Sequence, residues 1–289
     1  MFAKGVLKTP YYIIGSTILF CSVYTSESSS SRMIFYMYLI NISMFTLAGP
    51  DGLDVTAEGL FFCLEGSGAV MFRDWSGRDS VIAVGLNNPE GICVTREGEV
   101  LVTEDVPDGR LLLIDEGSIS ELASGLSCPE GVCEAPDGSI WFTTGGIEAG
   151  ELLSSLWTIK EQGPEQVFSV LSVFSLSDIT ISQSGTVYIC SEGAGLSGRV
   201  SVLRYDPVSS LVEPFVSGVA ACEGICLTEG GFPMYLAAEE EGVFTVDENG
   251  KVLLLFSELG LTEDIAVYGD SLYATHDGAG VIGRYALHE

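Results

Sequence analysis

Two sets of acidic residues recur along the chain at near-even spacing, and they are the groups best placed to do chemistry. Asp51, Glu90, Glu130, Glu223 and Glu263 each open a short apolar run, the first four standing directly before a glycine. Glu65, Asp105, Glu192, Glu239 and Asp277 each follow a β-prone run. If the fold gathers these carboxylates in one place they repel one another, and low-dielectric walls raise the cost. Protons retained on some of the carboxyls would offset it. So would a hard cation such as Ca²⁺, which takes roughly six to eight oxygens from carboxylates, carbonyls and water. Solvated surface acid and a basic partner are the other readings of the same pattern. Of the two histidines, His288 falls in the last two residues, while His276 precedes Asp277. His276 is therefore expected on the acidic face, where a neighbouring carboxylate would orient it and raise its pKa, making it a candidate general base. A Gly-x-Ser-x-Gly elbow, a phosphate-binding loop and a His-Glu-x-x-His motif are all missing from the sequence.

The elements that must position these groups come from a repeat. Pro50-Asp51-Gly52-Leu53, Pro89-Glu90-Gly91-Ile92, Pro129-Glu130-Gly131-Val132, Leu176-Ser177-Asp178-Ile179, Cys222-Glu223-Gly224-Ile225 and Thr262-Glu263-Asp264-Ile265 align as one motif occurring six times. Asp51 to Glu263 spans 212 residues over five intervals, about 42 each, a spacing typical of four-stranded propeller blades. Within each unit a short apolar strand leads into a tight turn such as Arg96-Glu97-Gly98 or Pro136-Asp137-Gly138. A strongly β-prone second strand follows, as in Val100 to Thr103 or Val187 to Cys190, and then a third and a fourth. The sixth unit ends before its fourth strand, and Ile42 to Gly49 reads like the fourth-strand segment Ile119 to Gly125. The expected architecture is all-β: a six-bladed propeller of four-stranded antiparallel blades, with an N-terminal strand completing the last blade and removing an open edge. Starts of inner strands and ends of second strands then meet on one face around the central channel. Glu104, Glu240, Glu241 and Asp264 are expected to add to the acid there. The fourth unit has Ser177 in place of an acid, with Asp178 beside it, and the third has Gly145 at the second position.

Composition sets outer bounds. The 289 residues include 12 Lys+Arg against 40 Asp+Glu, a formal net charge of −28, which excludes a phosphate-neutralising nucleic-acid binder. With 47% hydrophobic and 18% charged residues the chain can bury a core and lacks the makeup of a disordered acidic protein. Residues 1–36 differ in kind from the propeller at 37–289. A basic start at Lys4 and Lys8, an apolar run from Tyr11 to Tyr24 and serines from Ser26 to Ser31 outline an export signal or anchor, although the run is shorter than a spanning helix requires. Export or membrane anchorage is expected if residues 1–31 act as a signal, and a cytoplasmic location otherwise. Any membrane contact would be through that segment, and the chain is expected to be a monomer.

The eight cysteines repeat with the blades. Cys93, Cys133 and Cys226 hold one position, and Cys63 and Cys190 another. Equivalent positions in separate blades are expected to be too far apart for a disulfide, and Cys128 with Cys133 or Cys222 with Cys226 too close along extended chain. They read as small buried hydrophobes, and unpaired thiols favour a reducing compartment, against the export reading. Trp141, Trp157, Phe142, Tyr188 and Tyr273 are expected in the core between blades.

The sixfold Pro-acid-Gly-apolar pattern over residues 42–289 resembles the six-bladed superfamily of gluconolactonases, regucalcin, paraoxonase-like and strictosidine-synthase-like proteins, and also NHL-repeat propellers. The resemblance to the lactonases implies a divalent metal on the channel axis. Its ligands, carried over position by position, would be Asp51, Glu90, Glu130, Glu223 and Glu263. The lactonases mix Asn with Asp and Glu at these places, whereas here no unit offers Asn. Pro129-Glu130-Gly131-Val132 followed by Pro136-Asp137-Gly138-Ser139-Ile140-Trp141-Phe142-Thr143 is similar to the repeat of virginiamycin B lyase-type propellers, which have seven blades and depend on a catalytic His and Mg²⁺. With six units here, that likeness is expected to report blade architecture.

The expected function is a divalent-metal-dependent hydrolase of lactone or ester type acting on a small molecule, with Ca²⁺ as the expected cation. Its site would be the acidic mouth of the channel, with His276, Asp277 or Glu130 moving the proton. The alternatives are a non-enzymatic NHL-like propeller that binds a cationic ligand or a protein, and a lyase of the virginiamycin B lyase type.

Overall fold

The computed structural model describes residues 12–14, 17–19, 37–41, 49–148, 151–171, 175–192, 200–239, 241–257 and 261–287. They form an all-β propeller of six antiparallel blades. The first blade runs Pro50–Val55, Gly59–Leu64, Ala69–Asp74 and Asp79–Val84, each strand pairing with the next. The later inner strands are Pro89–Val94, Pro129–Glu134, Leu176–Ile181, Cys222–Thr228 and Ile265–Tyr268. Each inner strand packs against the next around the ring, and the sixth packs against the first. The third blade carries an extra two-residue strand, Ile147–Glu148.

The ring closes between the chain's two ends. Met37–Asn41 pairs antiparallel with Val281–Ala286 as the outer strand of the sixth blade. That strand lies just upstream of Ile42 to Gly49, where the repeat pattern places it, and residues 42–48 are outside the described residues. Most of residues 1–36, Glu240 and His288 also fall outside them. Tyr12–Ile14 and Thr17–Leu19 form a short hairpin in the apolar N-terminal run. Among the described residues no helix is long and apolar enough to cross a membrane.

Local sequence explains the hairpins. At Thr95-Arg96-Glu97-Gly98 the Gly98 N–H donates to the Thr95 carbonyl at 2.9 Å, and Gly138 does the same to Ala135 at 2.9 Å. Both glycines have positive φ, 88° and 85°, which other residues reach only with strain. The second strands are buried along their length, as in Val187–Ser191 and Val100–Glu104, because each is covered by blades on both sides. Trp141, Phe142, Tyr188 and Tyr273 are buried in these inter-blade layers and Trp157 is half-buried, as the sequence predicts.

The glycine of the repeat motif has a packing role. A Cβ on Gly52 would lie 1.9 Å from the Glu90 carbonyl oxygen, and one on Gly91 would lie 2.1 Å from that of Glu130. Inner strands crowd together where blades taper to the axis, so neighbouring backbones touch there. Among the described residues the seven cysteines are free thiols, buried or half-buried: Cys63, Cys190 and Cys222 are buried, and Cys93, Cys128, Cys133 and Cys226 are half-buried.

Candidate functional site

The inner strands present their first residues to one end of the channel, and the second strands end at the same place. Together they line a cavity of about 380 Å³. Asp51, Glu90, Glu130, Glu223 and Glu263 all border it, as do Glu65, Asp105, Glu192, Glu239 and Asp277. Asp178 and Asp264, next in sequence to the inner-strand starts, complete the acid, and Ser177 stands where the fourth unit lacks one. Among the described residues no Lys, Arg or His lines the cavity.

Two expected members stand elsewhere. Glu104 is 2% exposed and holds Arg110 through two hydrogen bonds, from Nε to Oε2 at 2.6 Å and from Nη2 to Oε1 at 2.8 Å. That pairing draws it off the channel, and the guanidinium beside it outweighs burial to hold its pKa below the ordinary value. Glu241 accepts the Ala220 N–H at 3.2 Å instead of facing the cavity.

His276 is a correction. It ends the second strand of the sixth blade with no exposed surface, and it is not among the residues lining the cavity. Its Nδ1 lies 3.1 Å from Thr262 Oγ1 and its Nε2 lies 2.8 Å from the Tyr285 hydroxyl. Burial lowers its pKa to about 4, the opposite of the expected rise. Strand alternation explains the error, since the side chain just before Asp277 points into the blade while Asp277 faces the cavity.

Electrostatically the cavity is under stress. Burial raises the pKa values of Asp51, Glu90 and Glu130 well above the ordinary carboxylate range, and like charges on neighbouring acids add to the effect. Glu223 is pushed up to about 9, by burial and then by Glu192 and Glu263; Glu263 rises to about 7, by burial and then by Glu239 and Asp277. Asp51, Glu130 and Asp105 are the acids that act on Glu90, and Glu192, Asp105 and Glu223 those that act on Glu130. The buried Glu130 Oε2 and Asp105 Oδ1 have no hydrogen-bond partner. The missing acid of the third blade makes room here. A Cβ on Gly145 would already be 3.0 Å from Glu130 Oε1, so a longer side chain there would displace that carboxyl.

Deeper carboxylates join blade to blade. Asp54 Oδ2 accepts the Val94 N–H at 2.7 Å, Asp178 Oδ2 that of Ile225 at 3.0 Å, and Asp264 Oδ2 that of Leu53 at 2.6 Å. The free edge of each of these inner strands is thus capped from the preceding blade. Thr143 Oγ1 adds a similar bridge, donating to the Ser177 carbonyl at 2.6 Å while accepting the Gly131 N–H at 2.9 Å. Sequence reasoning overlooked these roles. Asp178 and Asp264 were visible as acids replacing the motif glycine, but Asp54 carried no signal.

No protein-family model and no curated protein matches this sequence. Solved structures do match it in shape. A gluconolactonase from Xanthomonas campestris superposes with a TM-score of 0.72 at 15% identity, covering 88% of this chain and 90% of that one. The chain shares the propeller fold. Regucalcin from Agrobacterium tumefaciens, described as a calcium-binding protein, gives 0.66 at 17% identity over 84% and 92% of the two chains. Virginiamycin B lyase from Staphylococcus aureus gives 0.64 at 15% identity over 88% and 100%. At these identities the likeness is one of fold.

A divalent cation suits the donors present. All are hard oxygens, and Glu130 Oε2 and Asp105 Oδ1 are buried with no donor. Among the described residues, however, no three His, Cys, Asp or Glu side chains already stand in an ion-holding group. Water, backbone carbonyls or side-chain rotation would have to complete the coordination.

Proposed function

We propose that the protein is a divalent-cation-dependent hydrolase of lactone or ester type, working at the acidic mouth of the propeller channel. The observation that supports this most is the donorless pair of buried oxygens, Glu130 Oε2 and Asp105 Oδ1, in a cavity lined by carboxylates without a neutralising side chain among the described residues. Glu130, Asp105 and Glu90 would hold the ion, with Asp51 and Glu223 also bordering the cavity. When bound, a divalent cation polarises a carbonyl and stabilises negative charge developing on its oxygen. Glu263, whose pKa is raised to about 7, is suited to take and return a proton near neutral pH, with Asp277 and Glu239 beside it tuning that value. His276, engaged on both ring nitrogens, holds Tyr285 and Thr262 in place.

The cavity volume favours a second reading. About 380 Å³ is more than a single ion fills, and an all-carboxylate wall suits an organic cation or a basic peptide bound without chemistry. Calorimetric titration of the full chain with Ca²⁺, Mg²⁺ and Mn²⁺, run beside a panel of lactones and aryl esters, separates the two. The hydrolase reading expects about one tightly bound ion and cation-dependent turnover, with both lost in Glu130→Gln and in Glu223→Gln. The absence of stoichiometric binding, together with affinity for cationic ligands that falls steeply with salt, would replace it with the binding reading.

A further inference from the structure

We propose that the third blade holds a monovalent cation such as K⁺ in the gap left at Gly145, bound by the Glu130 carboxylate, the Cys128 carbonyl and the Ser154 hydroxyl. The backbone there matches that of other blades. Gly145 donates its N–H to the Cys128 carbonyl at 2.8 Å, as Asp105 does to Asn88 at 2.9 Å, Glu192 to Ser175 at 3.1 Å and Glu239 to Ala221 at 3.0 Å. Asp105, Glu192 and Glu239 each bring an acidic side chain from this position to the channel cavity, whereas the third blade brings none. Around the place where a Cβ would stand on Gly145, the three nearest atoms beyond the adjoining chain are all oxygens: Glu130 Oε1 at 3.0 Å, the Cys128 carbonyl at 3.9 Å and Ser154 Oγ at 4.0 Å.

Ser154 is the residue that points to a ligand. Ser155 pairs with Thr144 across the blade, which sets Ser154 opposite Gly145. Ser154 is 1% exposed, and its Oγ has no hydrogen-bond partner among the described residues. Glu130 Oε2 and Asp105 Oδ1 are the other buried side-chain atoms in that condition, and Asp105 is one of the acids acting on Glu130. A hydroxyl buried without a partner carries the cost of its lost hydration, and an ion bound through its oxygen offsets that cost.

The donors select the class of ligand. A carboxylate, a carbonyl and a hydroxyl are hard oxygens that carry one negative charge between them, so a singly charged ion leaves no net charge in a buried place. The Cys128 carbonyl, already accepting the Gly145 N–H, keeps a second lone pair for the ion. Water in the same gap would not ease the electrostatics. Glu192, Asp105 and Glu223 act on the buried Glu130 as like charges, and among the described residues no Lys, Arg or His lines the cavity. A cation at Oε1 opposes that repulsion directly. Glu130 also borders the cavity, which gives the ion its way in. The divalent ion proposed above would use the other oxygen, Oε2, so the two sites are separate.

The test follows thermal melting of the full, chelator-treated chain as K⁺ replaces tetramethylammonium at constant ionic strength, and locates the ion in crystals soaked with Tl⁺, a K⁺ substitute that scatters X-rays strongly. The melting temperature should rise with K⁺ along a saturating curve, by several degrees at about hundredfold excess over the dissociation constant. Tl⁺ should appear between Glu130 Oε1, the Cys128 carbonyl and Ser154 Oγ. Ser154→Ala should weaken the apparent K⁺ affinity about tenfold. In tetramethylammonium the same variant should be as stable as the parent or more so, since it discards an unpartnered hydroxyl. Gly145→Ala sets a methyl group in the gap and should abolish the response. Equal melting in the two salts, an undiminished response in Ser154→Ala, or crystals with no Tl⁺ in the gap would overturn the assignment. The Tl⁺ position and the serine variant decide the matter even if Gly145→Ala fails to fold. None of these readouts is turnover, so they stand or fall separately from the hydrolase reading.

Discussion

The Asp264 carboxylate accepts the backbone N–H of Leu53 at 2.6 Å, joining residues 211 positions apart and tying the last blade to the first. Its other oxygen accepts the Ile265 N–H at 2.6 Å. The propeller therefore closes in two places, at this inner contact near the axis and at the outer pairing of Met37–Asn41 with Val281–Ala286.

Asp264→Ala removes both acceptors and leaves the Leu53 N–H unpaired at a buried seam, a loss of about 1–3 kcal/mol. Asp264→Asn keeps a carbonyl oxygen for that N–H and discards a carboxyl whose pKa burial has already driven up, so it should cost less than the alanine variant. Urea denaturation of the two variants beside the parent gives the ranking. Equal losses would show that the hydrogen bond to Leu53 does not hold the seam.

His276→Phe should destabilise the chain by about 1–3 kcal/mol, because the Tyr285 hydroxyl and Thr262 Oγ1 each lose a buried partner. Turnover per folded molecule should be unchanged. A variant of parental stability that has lost activity would restore His276 to the reaction.

Stability should fall as pH rises in chelator-treated protein. Asp54 at about 6, Asp178 and Glu263 at about 7 and Glu223 at about 9 all bind protons more tightly folded than unfolded. Their contribution is complete below the unfolded values near about 4 and is lost as pH climbs through the folded ones. His276, lowered to about 4, works in the other direction, but its loss is confined to acid below its unfolded value. Melting temperature followed from about pH 5 to about pH 9 should decline through that window. A rise across it would show that the acid cluster is solvated.

Cation binding should release protons. The ion needs ionised oxygens, while burial and then Glu192 raise the pKa of Glu130, and burial and then Glu192 push that of Glu223 up to about 9. Ca²⁺ titrations in buffers of different ionisation enthalpy should therefore give different apparent heats, with affinity rising between about pH 6 and about pH 8. Buffer-independent heats at constant affinity would place the ion away from these carboxyls.

Several features of the fold and site could be read from residue order. The sixfold Pro-acid-Gly-apolar motif gave the blade count, and its acids, together with Glu65, Asp105, Glu192, Glu239 and Asp277, proved to border one cavity. Propeller geometry is periodic, so equal positions in the repeat become equal positions around the axis. His276 was misread because one step along a strand reverses the direction of a side chain. Glu104 was misread because Arg110, on the neighbouring strand, captures it.

By itself, the sequence determined a closed ring of six β-blades with acid gathered at one mouth, since both follow from local pattern repeated at a fixed interval. Only the tertiary structure decided which carboxyls are buried without donors, and that Asp54, Asp178 and Asp264 cap the edges of neighbouring strands. Those properties depend on distances between blades at the crowded axis. Such distances are set by packing across the whole ring, and no single repeat contains them.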